Sequence, residues 1–245
     1  MVAASNLSKS QVDRVGDRLR KGEITDFDLQ ILDTYRRSFA SAYEHVVEHI
    51  RTELGLDPVG REKTNTSIID KLRRQSIRLS QIQDIAGCRI VVADISKQEE
   101  ALERLKALFP DVDLDDRRER PSHGYRAVHV IVRIDGKSIE IQVRTSLQHW
   151  WAELSEKFSD LIDPAIKYGG GNAEALDSLS VASDEIIKVE KDERLLKDIL
   201  AELARRGGMS EDAGRDLLKA QRSIAARRKQ VINLIAGMGE IIPED

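Results

Sequence analysis

The feature that most constrains the fold is a pair of β-type runs, residues 125–134 and 138–144, joined by an Asp-Gly-Lys turn at 135–137. Asp and Gly both tolerate the positive φ that a tight turn between antiparallel strands requires. The spacing therefore predicts a β-hairpin. The apolar, β-branched run CRIVVADI at residues 88–95 is typical of a buried strand. These runs predict a sheet, to which residues 111–114 are expected to add a short strand.

Helical periodicity flanks the predicted sheet on both sides. We expect helices at residues 8–20, about 26–54, 66–78, 96–108, 146–162, 173–206 and 210–238. The pattern predicts the α+β class, with a mixed β-sheet core flanked by helices and with helical N- and C-terminal extensions. The glycine triplet at 169–171 lacks the Gly-Lys-Ser/Thr ending of a phosphate-binding loop, so it is read as a linker. The predicted parts are N-terminal helices at 1–54, a core at 55–168 and a C-terminal helical extension at 172–245.

The chain of 245 residues is acidic overall, with 39 Lys and Arg against 43 Asp and Glu. This balance argues against a broad nucleic-acid surface. The segment from Arg61 to Arg89 reverses it, with seven basic residues against three acidic ones. A local excess of this size predicts a partner that carries several negative charges. The single cysteine, Cys88, cannot close an intramolecular disulfide. With no window that reads as a signal peptide or a membrane span, we expect a cytoplasmic protein without membrane association.

The helix near residue 66 places three candidate ligand-binding side chains on one face. Ser67, Lys71 and Arg74 lie at positions i, i+4 and i+7. A hydroxyl, an ammonium and a guanidinium beside a helix N-terminus would suit a polyphosphate. From this segment alone, a solvated amphipathic helix with a Ser or Thr cap is the more common explanation.

The strand after the turn carries three polar residues on one face, Glu140, Gln142 and Arg144, which alternate with aliphatic residues. Such a face is either solvated or the floor of a polar site. Asp84 lies just before the other apolar strand, so Asp84 and Glu140 form a pair of carboxylates at strand positions. Opposite a basic helix, such a pair commonly holds magnesium and nucleotide phosphates.

Four segments, in order, resemble the synthetase domain of the RelA/SpoT family, and most of all its stand-alone small alarmone synthetases. They are GREKTNTSIIDKLRR (60–74), IQDIAGCRIVV (82–92), HGYRAVHVIV (123–132) and IEIQVRTSLQHWWAE (139–153). The resemblance covers about residues 55–160. It implies a nucleotidyltransferase-like synthetase fold and a GTP diphosphokinase activity. That activity transfers the β,γ-pyrophosphate of ATP to the 3′-hydroxyl of GDP or GTP and releases AMP, aided by Mg²⁺.

The resemblance also implies roles for individual residues. Asp84 and Glu140 would be the catalytic carboxylates and the Mg²⁺ ligands, and Glu140 is also a candidate base for the 3′-hydroxyl proton. The implied ATP-binding residues are Arg61, Lys63, Ser67, Lys71, Arg74 and Arg89. The implied acceptor-binding residues are Tyr125, His129, Gln142 and Arg144. Of these, Tyr125 would stack on the acceptor guanine, and Tyr125 and His129 are expected to share one face of a strand.

Two positions depart from the family pattern on the acceptor side. Pro121 stands where the family often has a lysine that touches the acceptor's phosphates, and Glu156 stands where many small synthetases have a histidine. Arg117, Arg118 or Arg120 are candidate substitutes for that lysine.

Two other functions stay open. One is a toxic relative that pyrophosphorylates the 3′ end of tRNA and is limited by an antitoxin. The other is a catalytically silent nucleotide-binding or scaffold protein. The chain has no His-Asp dipeptide, which the hydrolase half of long family members requires, so we expect no hydrolase activity. The resemblance also implies a homo-oligomer, because small alarmone synthetases commonly assemble through terminal helices.

Overall fold

The hairpin turn has the predicted conformation. Asp135 and Gly136 have φ values of 50° and 73°, which is what a type I′ turn requires. The turn joins strand β4 (Val128–Ile134) to strand β5 (Lys137–Thr145). The structure is a computed structural model that describes residues 7–206 and 210–240.

A five-stranded sheet contains this hairpin, in the order β1-β2-β5-β4-β3. The remaining strands are β1 (Val59–Glu62), β2 (Ala86–Val92) and β3 (Val112–Asp116). Strand β1 runs antiparallel to β2. The predicted α+β class with a mixed sheet is confirmed.

Eight α-helices accompany the sheet in the described ranges. They are α1 (Lys9–Lys21), α2 (Asp26–Arg37), α3 (Ala40–Leu54), α4 (Asn65–Arg74), α5 (Ile95–Leu108), α6 (Ser146–Leu161), α7 (Ala173–Arg205) and α8 (Glu211–Glu240). Short 3₁₀ turns occupy Leu79–Gln81 and Pro164–Tyr168. Within the described ranges, no helix combines the length and the apolar character that crossing a bilayer requires. The predicted break at residues 207 and 208 lies outside the described residues.

By their internal contacts, the residues form two units. Of the described residues, the first unit comprises 7–90, 104–115 and 129–142, and the second comprises 91–103, 116–128, 143–206 and 210–240. The three-part division predicted along the sequence stays a prediction.

In the first unit, helix α4 is held at both ends. Its apolar residues Ile68 and Leu72 are fully buried. Arg20 of α1 donates to the Leu72 carbonyl oxygen at 2.9 Å. At the other end, Arg36 of α2 donates to the Asn65 side chain at 3.0 Å. These contacts fix the helix that carries the basic face.

In the second unit, helices α6, α7 and α8 share one apolar core. The Trp151 indole of α6 donates to the Leu179 carbonyl oxygen of α7 at 2.7 Å. Burial of these side chains stabilises the three-helix packing. The main core residues are Leu147, Trp151, Phe158, Leu179, Ile186, Val231 and Ile235.

The helix predicted over about 26–54 is two helices, α2 and α3, separated at Ser38 and Phe39. The Ser38 hydroxyl donates to the Tyr35 carbonyl oxygen at 2.6 Å, and the Thr34 hydroxyl donates to the Gln30 carbonyl oxygen at 2.8 Å. Hydroxyl groups that bind carbonyls of the preceding turn compete with the helical ladder and bend it.

Helix α4 ends at Arg74 instead of about residue 78. Gln75 follows with extended backbone, at φ −118° and ψ 138°, which ends the helix. Strand β4 begins at Val128, so Tyr125 precedes it and does not share a strand face with His129. The Tyr125 amide instead donates to the carbonyl of residue 122 at 3.0 Å.

Candidate functional site

Two lysines and one carboxylate form the centre of a charged cluster in the first unit. Lys63, which follows β1, donates to Asp84 Oδ2 at 2.5 Å. Lys71 of α4 donates to Asp84 Oδ1 at 2.8 Å. All three side chains are mostly buried. Each oxygen of Asp84 therefore has one ammonium as its partner.

The cluster keeps Asp84 ionised. Burial raises the pKa of Asp84, but the charges and hydrogen bonds of Lys63 and Lys71 outweigh it and bring the pKa to about 2. Burial lowers the pKa of Lys63, and the charge of Asp84 offsets only part of that effect. Asp84 thus favours the protonated form of Lys63 against the effect of burial.

Glu140 of β5 is the second carboxylate of this unit, and it is buried among hydrogen-bond donors. His129 Nδ1 lies 2.9 Å from Oε1, Gln142 Nε2 donates to Oε2 at 2.7 Å, and an Arg61 nitrogen lies 3.4 Å from Oε2. Burial raises the pKa of Glu140, but the hydrogen bond and the charge of His129 outweigh it, so the pKa lies below its usual value. Glu140 is therefore ionised at neutral pH.

The polar face of β5 is buried and not solvated. Glu140, Gln142 and Arg144 are exposed by only 7%, 2% and 5%. The aliphatic residues that alternate with them are fully buried as well. Buried polar side chains of this kind are held by hydrogen bonds. The solvated face is therefore excluded, and the floor of a polar site stays a prediction.

Gly87 of β2 makes the contact between Arg61 and Glu140 possible. Arg61 lies directly opposite Gly87 in the ladder. A Cβ atom on Gly87 would lie 2.4 Å from the Glu140 carbonyl oxygen and 3.2 Å from its Cβ. Gly87 was not among the predicted site residues. A glycine inside an apolar strand run often marks such a close approach of two backbones.

Helix α4 presents Ser67 and Lys71 on one face, as predicted. Thr64 caps the helix by accepting from the Ser67 amide at 3.2 Å, and its hydroxyl also donates to Ser67 Oγ at 2.9 Å. Arg74 is exposed in the last turn of the helix. Ser67 and Arg74 therefore lie on the same helix as Lys71 but toward solvent.

Arg61 and Arg89 lie on the same face of the β1–β2 ladder. Val59 pairs with Arg89, and Arg61 pairs with Gly87, so the two arginines are diagonal neighbours. Such neighbours are about 7–8 Å apart.

The predicted acceptor residues fall in both units. His129 and Gln142 contact Glu140 in the first unit. In the second unit, Arg144 donates to the Tyr125 hydroxyl at 3.0 Å, and its guanidinium carbon lies 5.0 Å from the centre of the ring. The Tyr125 ring is partly exposed. The contacts within each unit therefore orient two of these four side chains.

The chemistry of Asp84 and Glu140 fits Mg²⁺. Both are ionised carboxylates, and the charge of Asp84 raises the pKa of Glu140, so the two groups interact electrostatically. Among residues 7–206 and 210–240, no group of three His, Cys, Asp or Glu side chains is placed to hold a metal. Mg²⁺ commonly uses one or two carboxylates, with water and substrate phosphates as its other ligands.

One buried carboxylate in the second unit was not predicted. Glu190 of α7 is 7% exposed and accepts from the Thr145 hydroxyl at 2.7 Å and from Gln148 Nε2 at 2.9 Å. Burial raises the pKa of Glu190 despite these hydrogen bonds. In the sequence Glu190 resembles the many other acidic residues of a charged helix, so no local signal distinguishes it.

Comparison with known proteins gives a consistent result. The family described as "Region found in RelA / SpoT proteins" matches residues 60–159. An uncharacterised protein of Mycobacterium tuberculosis is 38% identical over 112 residues, which are 44% of this chain and 41% of that protein. The GTP pyrophosphokinase YjbM of Bacillus subtilis is 35% identical over 150 residues, which are 54% of this chain and 69% of that protein. The chain thus spans less than half of the mycobacterial relative.

A solved structure has the same fold. The small alarmone synthetase 1 from Bacillus subtilis superimposes with a TM-score of 0.53 and 25% sequence identity. The match covers 69% of this chain and 99% of that structure.

Proposed function

This chain belongs to the RelA/SpoT family, and on that premise we propose that it is a small alarmone synthetase that makes guanosine alarmones from ATP and GDP or GTP. In the reaction, the 3′ oxygen of the guanosine bonds to the β-phosphorus of ATP. The bond from that phosphorus to the α,β-bridging oxygen breaks, and AMP leaves. The observation that carries the proposal is the grouping of basic side chains around Asp84 and Glu140.

On the donor side, the ATP triphosphate would replace Asp84 as the partner of Lys63 and Lys71. Burial disfavours the charge of Lys63 unless an anion is near, so phosphate oxygens are suitable partners. Once phosphate oxygens bind the two lysines, neither oxygen of Asp84 would be bound to an ammonium group. Ser67 and Arg74, on the same helix as Lys71, would bind further phosphate oxygens. Arg61 and Arg89 would enclose the adenine ring.

Asp84 and Glu140 would hold Mg²⁺ beside the phosphates. When bound, Mg²⁺ neutralises phosphate charge and favours attack at phosphorus. Glu140 is also the candidate acceptor of the 3′-hydroxyl proton. Its lowered pKa makes it a weak base while Arg61 and His129 contact it. This supports the role of metal ligand, and a role as base requires that the hydrogen bond from His129 weakens.

On the acceptor side, Tyr125 would stack on the guanine. The hydrogen bond from Arg144 holds the tyrosine hydroxyl and so favours one orientation of the ring. His129 and Gln142 would orient the acceptor. Since both already contact Glu140, a nucleotide bound to them would approach the carboxylate that receives its proton.

The arginines between residues 117 and 126 support a nucleotide acceptor over tRNA. Arg118 pairs with Asp116 at 2.6 Å, and Arg126 is buried and donates to the Arg118 carbonyl oxygen and to Ser183. Arginines used in internal contacts contribute little to an RNA footprint. Of the candidates for the missing lysine at Pro121, Arg118 is therefore the least suited, because Asp116 already holds its guanidinium.

A homo-oligomer is the proposed assembly, with the terminal helices as its interface. Leu195, Ile199 and Leu200 of α7 and Leu218 of α8 are exposed apolar side chains on these helices. Light scattering after size exclusion tests the assembly, and a monomer at working concentration would contradict it.

The decisive experiment follows the γ-phosphate label of ATP. The purified chain is incubated with Mg²⁺, γ-labelled ATP and either GDP, GTP, ADP or bulk tRNA. We expect label on the guanosine nucleotides and an equal amount of AMP. Label on tRNA would support the toxic relative, and no transfer at all would support a silent protein. Labelled alarmone added back is expected to stay intact, because no hydrolase activity is proposed.

A further inference from the structure

Helix α7 belongs to the predicted C-terminal extension, yet its Ser183 holds the loop that carries Tyr125. Ser183 Oγ donates to the Gly124 carbonyl oxygen at 2.9 Å and accepts from Arg126 Nε at 3.3 Å. It therefore binds the residues on both sides of Tyr125. Ser183 is only 2% exposed, so water does not substitute readily for either contact.

The loop leaves Gly124 little freedom. Gly124 has a φ of 87°, and a Cβ there would lie 2.7 Å from the Trp151 ring and 3.3 Å from Ser183 Cβ. Glycine adopts this left-handed conformation without strain, so the loop is fixed here by the close packing of Trp151 of α6 and Ser183 of α7 against it.

Glu190 of α7 holds the residue after Arg144. It accepts from the hydroxyl of Thr145, the N-cap of α6, at 2.7 Å. It also accepts from Gln148 Nε2 at 2.9 Å. Thr145 and Gln148 are 0% and 1% exposed. Burying a carboxylate without these donors would be strongly unfavourable. The hydrogen bonds therefore fix the position of Thr145 and, through the backbone, the position of Arg144.

Ser183 and Glu190 are seven residues apart, so they project from the same face of α7. One face of one helix thus fixes the backbone beside Tyr125 and the backbone beside Arg144, and these two side chains are joined at 3.0 Å. We propose that α7 positions the Tyr125–Arg144 pair, with Ser183 and Glu190 as positioning residues that set the affinity for the acceptor guanine nucleotide. This inference rests on the proposed function.

Paired variants of α7 test the inference. Ser183→Ala is compared with Ser180→Ala, an exposed serine of the same helix. Glu190→Gln is compared with Glu174→Gln, an exposed glutamate in the first turn. For each variant, KM is measured separately for the acceptor and for ATP. Amide hydrogen exchange is measured over residues 117–127, and thermal unfolding shows whether the fold persists.

We expect Ser183→Ala to raise the acceptor KM about tenfold, the effect of one lost buried hydrogen bond. The KM for ATP should stay unchanged, and exchange over 117–127 should accelerate. Glu190→Gln should shift the acceptor KM in the same direction, and both controls should match wild type. A purely structural role would lower the unfolding temperature without separating the two KM values.

The outcomes separate the inference from the proposed function. If wild type is active and Ser183→Ala leaves either the acceptor KM or the exchange rate unchanged, the positioning role is wrong and the proposed function stands. If wild type transfers label to no guanosine nucleotide, the proposed function fails, and the acceptor role of α7 fails with it. A rise in both KM values by the same factor also overturns the inference.

Discussion

His129 and Glu140 face each other on neighbouring strands, with Nδ1 2.9 Å from Oε1. This contact outweighs burial and keeps the pKa of Glu140 below its usual value. Activity that needs the ionised carboxylate is present above that pKa and is lost as the pH falls through it. In His129→Ala, burial is no longer offset, so the pKa of Glu140 should rise. We expect the acid limb of the kcat/KM profile to move to higher pH.

The pH profile is measured from about pH 3 to pH 9, because the acid limb of the wild type falls below the usual pKa of a glutamate. The stability of each variant is checked over this range by circular dichroism. His149→Ala is the matched control, because His149 lies on α6 beside Glu153. An acid limb that does not move in His129→Ala would contradict the assigned role of this contact.

Glu140→Gln should abolish transfer while ATP still binds. The amide keeps the shape of the side chain but cannot serve as an anionic metal ligand or as a base, and losses of this kind are about 10²–10⁴-fold in kcat. Transfer is followed with labelled ATP, and ATP binding is followed by calorimetry. Glu62→Gln, an exposed glutamate of β1, is the control. Robust turnover by Glu140→Gln would remove Glu140 from the catalytic residues.

Asp84→Asn should destabilise the fold most at neutral pH. The native pKa of Asp84 is about 2, against 3.8 for an unperturbed carboxyl. The ionised group therefore stabilises the native state above the unfolded value, by about 2 kcal/mol, and this stabilisation is lost as the pH falls toward 2. Urea unfolding at several pH values should show a difference from wild type that shrinks on acidification.

Asp57→Asn is the control for this comparison, since the Asp57 side chain is 88% exposed. A difference between Asp84→Asn and wild type that stays constant with pH would mean that the contacts from Lys63 and Lys71 do not set the pKa of Asp84.

The sequence pattern predicted the structural features that depend on residues close together in the chain. The Asp135–Gly136 turn, the alternation along β5 and the shared face of Ser67 and Lys71 each follow from spacing within about ten residues. The pairing of Lys71 with Asp84 could also be expected from the sequence, because both residues belong to one short basic segment. The family resemblance then placed the more distant residues in functional roles.

Contacts between distant segments could not be predicted in this way. Strand β1 is short and exposed along its length, so it has no period-two signal, and it forms only because β2 pairs with it. The structural roles of Gly87 and Glu190 depend on segments that are distant in the sequence and pack against these residues. The break between α2 and α3 at Ser38 depends on a side-chain hydrogen bond that competes with those of the helix backbone. The spacing of apolar residues gives no sign of this competition.

Gly87→Ala should damage both stability and activity. The added Cβ would meet the Glu140 backbone, so β5 must move away from β2 at the proposed catalytic carboxylate. Overpacking of this kind lowers the free energy of unfolding by about 1–3 kcal/mol. Gly237→Ala is the matched control, because a Cβ there meets open space on α8. It should instead stabilise the helix by about 0.5–1 kcal/mol. Urea unfolding and label transfer measure both effects, and wild-type values for Gly87→Ala would show that the two strands tolerate the separation.

Tyr125→Ala should raise the KM for the acceptor far more than the KM for ATP. Loss of base stacking corresponds to about a tenfold change or more. Tyr125→Phe keeps the ring and loses only the hydroxyl that accepts from Arg144, so its effect should be smaller and in the same direction. Tyr168→Ala, at an exposed tyrosine of the same unit, should change neither KM. Steady-state kinetics with each substrate varied in turn measure the difference. If Tyr125→Ala raised both KM values equally, the ring would act on the shape of the second unit as a whole and not on the acceptor.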